Sequence, residues 1–387
     1  MPPPPCFLYA SGADATAPTA SVLHQVRLPS GEPVPGDWAT TELPLPLPLG
    51  ENQLLLSTKY ISVDPYMRPG MNGFKKGGSV RVFGGATIGA VVESTSSAFS
   101  RGDLVIGPWG WSTRAAVPAD AVRKLGPEHT PPTRALNVLG SNGLTAHLGL
   151  YQILKPQRGQ VIFVSGGAGS VGATVGMLAK REGCRVIGSA GTAAKLEFML
   201  SIGFDDVFNY KDEGVAPALA RLAPDGISMY FDNVGGSTAL AAVKALRHGG
   251  RVAVCGAIHL YNARNIVSLL AASVLCGGSP LEIGLRKVVY ASFPLGLKAA
   301  YTEMQPAHSL RLSGGRIVTW QSFNVFNWPE LHGRIFEELA AWIADGSLPS
   351  GGREDVTRGP LEEVPRAFAR MLVGKNFGKA VVELDGS

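Results

Sequence analysis

Along roughly the first 140 residues, short apolar runs at 53–57, 86–92 and 103–107 are separated by turns rich in Pro and Gly. Runs of this length bounded by turn residues predict strands, so 1–140 reads as a mostly β domain. From Gly159 onward the rhythm changes. Short apolar strands are predicted at 161–164, 185–189, 206–210, 228–233, 251–255 and 317–325, with helical stretches between them. Buried strands alternating with helices at βαβ spacing predict a doubly wound parallel sheet over 141–344. A helix follows the last of these strands over 331–344, with Leu331, Ile335, Leu339 and Trp342 on one face. The closing stretch, 345–387, returns to helix and strand and is expected to complete the first domain.

Composition narrows the class. The chain has 387 residues, long enough for about two cores, and 45% hydrophobic against 17% charged residues excludes an extended or disordered protein. Its 49 glycines and 28 prolines suit tight turns and strands better than a helical bundle. The formal charge of +5 is scattered rather than blocked, which disfavours a nucleic-acid arm and is compatible with an anionic cofactor. Cys6, Cys184, Cys255 and Cys276 stand far apart, giving neither a disulfide framework nor a zinc knuckle. With no visible secretory signal, a cytoplasmic protein is expected. The apolar piece 266–281 is too short for a spanning helix and ends in Gly277-Gly278-Ser279-Pro280, so no membrane span is expected.

Directly after the strand at 161–164 comes Ser165-Gly166-Gly167-Ala168-Gly169-Ser170-Val171-Gly172, containing Gly167-x-Gly169-x-x-Gly172, and then a helical run. This is the setting a dinucleotide fingerprint requires. The glycines make the turn, admit a pyrophosphate to the backbone and pack helix on strand, while the helix N-terminus offers amides to phosphate. At the end of the second strand an NAD site carries Asp or Glu for the ribose hydroxyls. Here the chain reads Gly188-Ser189-Ala190-Gly191-Thr192, and Lys195 follows, where its ammonium can meet a ribose phosphate. NADPH is the cofactor expected.

These and further motifs carry a family resemblance. They are Val63-Asp64-Pro65-Tyr66-Met67-Arg68, Gly143-Leu144-Thr145-Ala146, Gly169-Ser170-Val171-Gly172, Phe208-Asn209-Tyr210-Lys211 and Tyr230-Phe231-Asp232-Asn233-Val234-Gly235-Gly236. Cys255-Gly256-Ala257-Ile258 with Tyr261-Asn262, and Gly374-Lys375-Asn376-Phe377-Gly378-Lys379, complete the set. Over roughly 54–384 the chain resembles the zinc-independent medium-chain dehydrogenase/reductases of the prostaglandin reductase, leukotriene 12-hydroxydehydrogenase and plant alkenal double-bond reductase group. The resemblance implies a GroES-like β domain formed by both chain ends, a doubly wound Rossmann domain, an active site in the cleft between them, and a homodimer. It assigns NADPH contacts to Thr145, Gly169, Ser170, Val171, Gly172, Lys195, Tyr210, Asn233, Cys255, Gly256, Ala257, Ile258, Tyr261, Phe323, Asn324, Val325 and Asn376. Lys195 and Tyr210 fall on the ribose phosphate.

A catalytic zinc needs three protein ligands, commonly Cys, His and Cys. This chain has Gly84-Gly85-Ala86 where zinc relatives carry Gly-His-Glu, no Cys near 63–68, and no four-cysteine lobe, so no metal site is expected. Without a metal to polarise an alcohol, hydride addition to an activated alkene is the favoured chemistry. The expected reaction is hydride transfer from NADPH to the β-carbon of an α,β-unsaturated aldehyde or ketone. The candidate donors to the carbonyl oxygen are Tyr261, which the resemblance implies, Tyr66 in the first-domain motif, and the ribose hydroxyl of the cofactor. Asp64 and Arg68 are expected to fix their loop by an internal ion pair, Cys255 to be a small buried apolar residue, and His259 is a weaker candidate for a polar role near the nicotinamide.

Two departures from the family stand out. Ser141-Asn142 replaces the usual Met-Pro type of pair, and 263–315 is longer than usual, with apolar pieces at 266–275 and 288–297 that suit a lid or an enlarged subunit contact ahead of a membrane-surface patch. Two other readings stay open: NADPH-dependent quinone reduction, and a non-catalytic NADPH-binding sensor or structural protein.

Overall fold

The computed structural model describes residues 18–74, 80, 82–262, 307–349 and 353–385. The chain forms two compact units, Met1–Asn137 with Arg353–Ser387, and Val138–Gly352. These junctions differ from 140/141 and 344/345 for a packing reason: Val138, Leu139 and Leu348 are buried in the core of the second unit.

The first unit opens with an antiparallel pair, β1 (Thr19–Gln25) and β2 (Trp38–Pro44). Next come β3 (Gln53–Ser62), the short helix α1 (Met67–Gly70), β4 (Thr87–Ser94), β5 (Leu104–Gly107), β6 (Arg114–Pro118) and β7 (Arg123–Lys124). β3 is central because it is buried on both faces. Leu54 and Leu56 join Val91, Val105 and Trp109 on one side, and Leu55 joins Ala20 and Leu45 on the other. The buried Trp109 Nε1 donates to Thr58 Oγ1 at 3.0 Å, so this indole is placed without an unsatisfied donor.

The second unit starts with α2 (Ser141–Leu148) and a π-helical turn at Gly149–Leu154. Its sheet is built from β8 (Val161–Ser165), β9 (Arg185–Ala190), β10 (Asp206–Asn209), β11 (Ile227–Asp232), β12 (Leu246–Val254), β13 (His308–Arg311) and β14 (Ile317–Ser322). The intervening helices are α3 (Ser170–Arg181), α4 (Ala193–Ser201), α5 (Val215–Leu222), α6 (Gly236–Lys244) and α7 (Ile258–Tyr261), and α8 (His332–Ala344) follows β14. The order is β10-β9-β8-β11-β12-β14-β13, parallel except for the β13 edge. Two apolar clusters cover the strands, one gathering α3 and α8, the other α5 and α6. Burial on both faces explains why β8 reads as an unbroken apolar run up to Val164 and β11 as a largely apolar one.

Three expectations change. The strand expected at 317–325 stops at Ser322, because the Asn324 side chain accepts from Phe326 N and starts a 3₁₀ turn. The strand expected at 251–255 begins earlier, at Leu246, because the register with β11 shifts around the Arg247–Gly250 bulge, where Gly249 has φ +73°. Residues 308–311, read as part of an insertion, pair with β14. Cys6, Cys276 and the apolar pieces 266–281 and 288–297 lie outside the described residues, as does a lid or subunit contact built from them.

The chain then returns to the first unit through β15 (Glu354–Gly359), α9 (Glu363–Leu372) and β16 (Lys379–Leu384). β16 runs antiparallel to β3, with Val381 opposite Ser62, and α9 buries Phe368 against Trp38 and Trp111. Both chain ends thus build the GroES-like β domain, and the middle of the chain builds the Rossmann domain.

Candidate functional site

The turn from β8 into α3 is shaped by its glycines. Gly166 has φ +63°, and a β-carbon on Gly172 would fall inside contact distance of the Gly166 carbonyl. A β-carbon on Gly167 would stand 2.6 Å from Met199 Sδ, so this glycine serves packing as well as turning. Gly169 is the N-cap and offers no capping side chain, which leaves the first-turn amides of a twelve-residue helix for an anion. Ser170 is anchored: its hydroxyl accepts from the buried Asn142 Nδ2 at 2.7 Å, giving one of the two departing residues a role. Thr145 turns its hydroxyl back to Ser141 O at 2.7 Å.

At the end of β9 no carboxylate is present in 188–192. A β-carbon on Gly191 would lie 2.9 Å from Tyr210 Oη and 3.0 Å from Lys211 Cε, so these two side chains crowd the position where an NAD site carries its acid. Lys195 lies in the first turn of α4, immediately after Gly191-Thr192. Lys211 escaped the sequence reading, although its place beside Tyr210 was the available signal.

The carboxyl ends of β8, β11 and β12 are tied together by Asp232, which is 1% exposed. Its Oδ1 accepts from Tyr230 Oη at 2.6 Å, Gly235 N at 2.8 Å and Val234 N at 3.0 Å, with the Ser165 hydroxyl at 3.5 Å. Its backbone carbonyl accepts from Cys255 N and Gly256 N at 2.9 and 3.0 Å. Burial pushes the Asp232 carboxyl upward, and the Tyr230 hydroxyl and backbone amides pull it back. Burial, then Asp232, drives the Tyr230 phenol well above its ordinary range. Asn233 is held twice, its N donating to Ser165 Oγ at 3.1 Å and its Nδ2 to Ser165 O at 2.8 Å. Sequence reasoning missed Ser165 and Tyr230, because a buried hydroxyl among apolar strand residues carries no pattern of its own.

In the loop from Cys255 to Tyr261, the Tyr261 hydroxyl accepts from Ala257 N at 3.4 Å and stands 3.3 Å from where a Gly256 β-carbon would lie. The phenol is therefore folded back over Gly256-Ala257. Ile258 N and His259 N donate to Asn233 O and Val234 O at 3.5 and 3.2 Å, joining this loop to the β11–α6 turn. The exposed His259 ring packs on Gly236. Burial and Asp232 push the Cys255 thiol up to about 12, which keeps it protonated and apolar in behaviour. Phe323 meets Phe231 edge-on at 6.2 Å, and a β-carbon on Gly149 would stand 2.6 Å from both rings. Asn324 spends its side chain on Phe326 N at 3.0 Å, and the Val325 carbonyl accepts from His332 Nε2 at 2.8 Å.

In the first unit Tyr66 caps α1 and keeps its ring partly exposed, with its hydroxyl directly over Gly85. The ion pair expected within the motif is replaced by another: Asp64 pairs with Lys379 at 3.0 Å, and Arg68 donates to Asn72 Oδ1 and Gly31 O at 3.0 and 2.9 Å. Arg68 is taken up by Asn72 and Gly31, and Lys379 reaches Asp64 from β16. Asn376 Nδ2 donates to Gly378 O at 2.8 Å.

Among the described residues no three His, Cys, Asp or Glu side chains gather to hold a metal ion. No helix among them is long and apolar enough to cross a membrane.

Comparison with known proteins agrees with this architecture. Residues 23–125 match the family described as the N-terminal domain of oxidoreductase, and 170–278 match the family described as zinc-binding dehydrogenase. Prostaglandin reductase 1 of Mus musculus is 34% identical over 359 residues, covering 91% of this chain and 95% of that protein. The NADP(+)-dependent 2-alkenal reductase of Nicotiana tabacum is 32% identical, covering 87% and 89%. The crystal structure of CurA from Vibrio vulnificus in complex with NADPH superposes with a TM-score of 0.74 at 30% identity, covering 95% of this chain and 100% of that one. The chain belongs to the zinc-independent medium-chain dehydrogenase/reductase family, in its prostaglandin reductase and alkenal reductase group, and is an oxidoreductase.

Proposed function

We propose that the protein reduces the carbon–carbon double bond of α,β-unsaturated aldehydes or ketones of the 2-alkenal or oxo-prostaglandin type, with NADPH as cofactor. Bound NADPH would supply the hydride that adds to the β-carbon, and water or a tyrosine would give the proton that the α-carbon takes up. Of the chain's own residues, the first-turn amides of α3 at Ser170, Val171 and Gly172 bind the pyrophosphate, and Gly169, at the N-cap without a side chain, lets it approach. Lys195 and Tyr210, with Lys211 beside them, bind the ribose phosphate. Thr145, Asn233, the Cys255–Ile258 loop, Phe323, Asn324, Val325 and Asn376 position the remainder. As negative charge grows on the substrate carbonyl oxygen, the Tyr261 phenol donates a hydrogen bond to it, and Tyr66 is the second donor.

The observation that carries this reading is the place of Tyr261: its hydroxyl accepts from Ala257 N at 3.4 Å and so lies over the Gly256-Ala257 turn at the carboxyl end of β12, the end of a doubly wound sheet where ligands bind. Family resemblance supports a homodimer in the cytoplasm. Replacing Tyr261 by Phe tests the assignment. Turnover of a 2-alkenal falls about a hundredfold, the effect of removing one such donor. Unchanged turnover would remove Tyr261 from the reaction.

A further inference from the structure

Two segments of the first unit carry residues of the proposed site, the Asp64–Arg68 loop with Tyr66 and the turn with Asn376. They come from opposite ends of the chain, and one side chain joins them. Lys379, 2% exposed, donates from Nζ to Val63 O at 2.8 Å, to Asp64 Oδ1 at 3.0 Å and to Ala380 O at 3.0 Å. All three ammonium protons are used. The other Asp64 oxygen accepts from the Ser62 hydroxyl, and the Asp64 carbonyl accepts from Met67 N at 3.1 Å, which closes the turn that holds Tyr66. On the other side, Lys379 N donates to Arg353 O at 2.8 Å, and Gly378 has φ +79° with no room for a β-carbon against the Arg353 carbonyl. The Gly378 carbonyl in turn accepts from Asn376. An unbroken line of bonds therefore runs from Asn376 through Gly378, Lys379 and Asp64 to the turn at Tyr66.

A buried pair of this kind is a weak source of stability. Desolvating two charges costs about as much as their attraction returns, and a neutral packed substitute is often as stable. Burial pulls the Lys379 ammonium pKa down, with Asp64 acting against it. A purely structural tie between two strands is available from backbone ladder bonds, which β16 already makes to β3. We propose that Lys379 and Asp64 are positioning residues, an internal ion pair that sets the Tyr66 loop and the Asn376 turn in one fixed arrangement for catalysis. The inference rests on the assignment of Tyr66 and Asn376 to the site.

The test compares full-length Lys379→Met, Asp64→Asn and the double variant by thermal melting, by amide hydrogen exchange at 64–72 and 374–378, and by NADPH oxidation with trans-2-octenal. Each single variant leaves one buried group unmatched and melts several degrees lower. The double variant regains most of the melting temperature. Its kcat/KM for the alkenal stays lowered about ten- to hundredfold, as expected when a donor to the growing negative charge is displaced, and exchange at Met67 stays faster than in wild type. A double variant with wild-type kcat/KM and wild-type exchange would overturn the proposal and leave the pair structural. Ser62→Ala, which removes only the second bond to Asp64, gives an independent arm if the double variant folds poorly. It is expected to lower kcat/KM and speed Met67 exchange with a smaller loss of melting temperature than either single variant, and no change in kcat/KM or in exchange contradicts the proposal. Wild-type protein that turns over no enone would fail the functional reading, while the exchange data still decide the positioning claim.

Discussion

The hydroxyl of Tyr66 fills the space that a β-carbon on Gly85 would need, and the Met67 methyl stands 2.7 Å from the same point. A side chain at Gly85, such as the His that zinc relatives carry there, and a phenol at this place exclude one another. Gly85→Ala is therefore expected to push Tyr66 out of position. Alkenal turnover, as kcat/KM, should fall about tenfold or more while the affinity for NADPH, measured by fluorescence quenching, holds. Equal turnover in the variant would place Tyr66 outside the site.

Coenzyme choice is expected to depend on the groups around Gly191. Lys195→Ala combined with Tyr210→Phe removes the two groups proposed to bind the ribose phosphate, and a hydrogen bond to a charged group is worth about 1.5–3 kcal/mol. The KM for NADPH should rise at least tenfold, with that for NADH almost unchanged. If both rise together, these residues serve folding rather than the phosphate.

Ser165→Ala deprives Asn233 N of its acceptor and Asp232 of one donor. An unsatisfied buried group costs about 1–3 kcal/mol, so the melting temperature should drop by several degrees. NADPH binding should weaken as well, because the same hydroxyl fixes Asn233. Loss of stability alone would separate the two roles.

Acid sensitivity is expected at His147, which is 3% exposed and lies 3.2 Å from Glu338. Burial, the largest influence, holds its imidazole below the ordinary 6.5, with Glu338 and Glu182 opposing and Arg334 assisting. Below pH 6.5 the unfolded chain therefore binds the proton first. Stability falls as pH drops through this window and levels off under the folded value. Melting curves at about pH 7.5 and pH 5.5 should show a smaller acid loss in His147→Phe than in wild type, and parallel losses would exclude His147 as the cause.

Much of the Rossmann domain is legible in the chain because its strands are buried on both faces and its phosphate turn needs glycines at fixed spacing. Gly167, Gly169 and Gly172 sit in the turn as expected, and the absent carboxylate at 188–192 is matched by Tyr210 and Lys211 crowding Gly191. What escaped the sequence depends on long-range pairing. Asp64 and Lys379 are separated by 315 positions, so the nearer Arg68 was the natural partner to expect. β13 escaped because an edge strand with an exposed face has little apolar signal. Ser165 and Tyr230 act by hydrogen bonds inside apolar strands, where periodicity records only burial.

The central claim is that this chain reduces enones with NADPH, and its most direct test is NADPH oxidation by the purified protein with trans-2-octenal and, in parallel, a simple quinone, with products identified by mass. The account predicts octanal as the main product, formed in step with NADPH consumption, and little quinone turnover. Preferential quinone reduction, or silence with both acceptors, would contradict it.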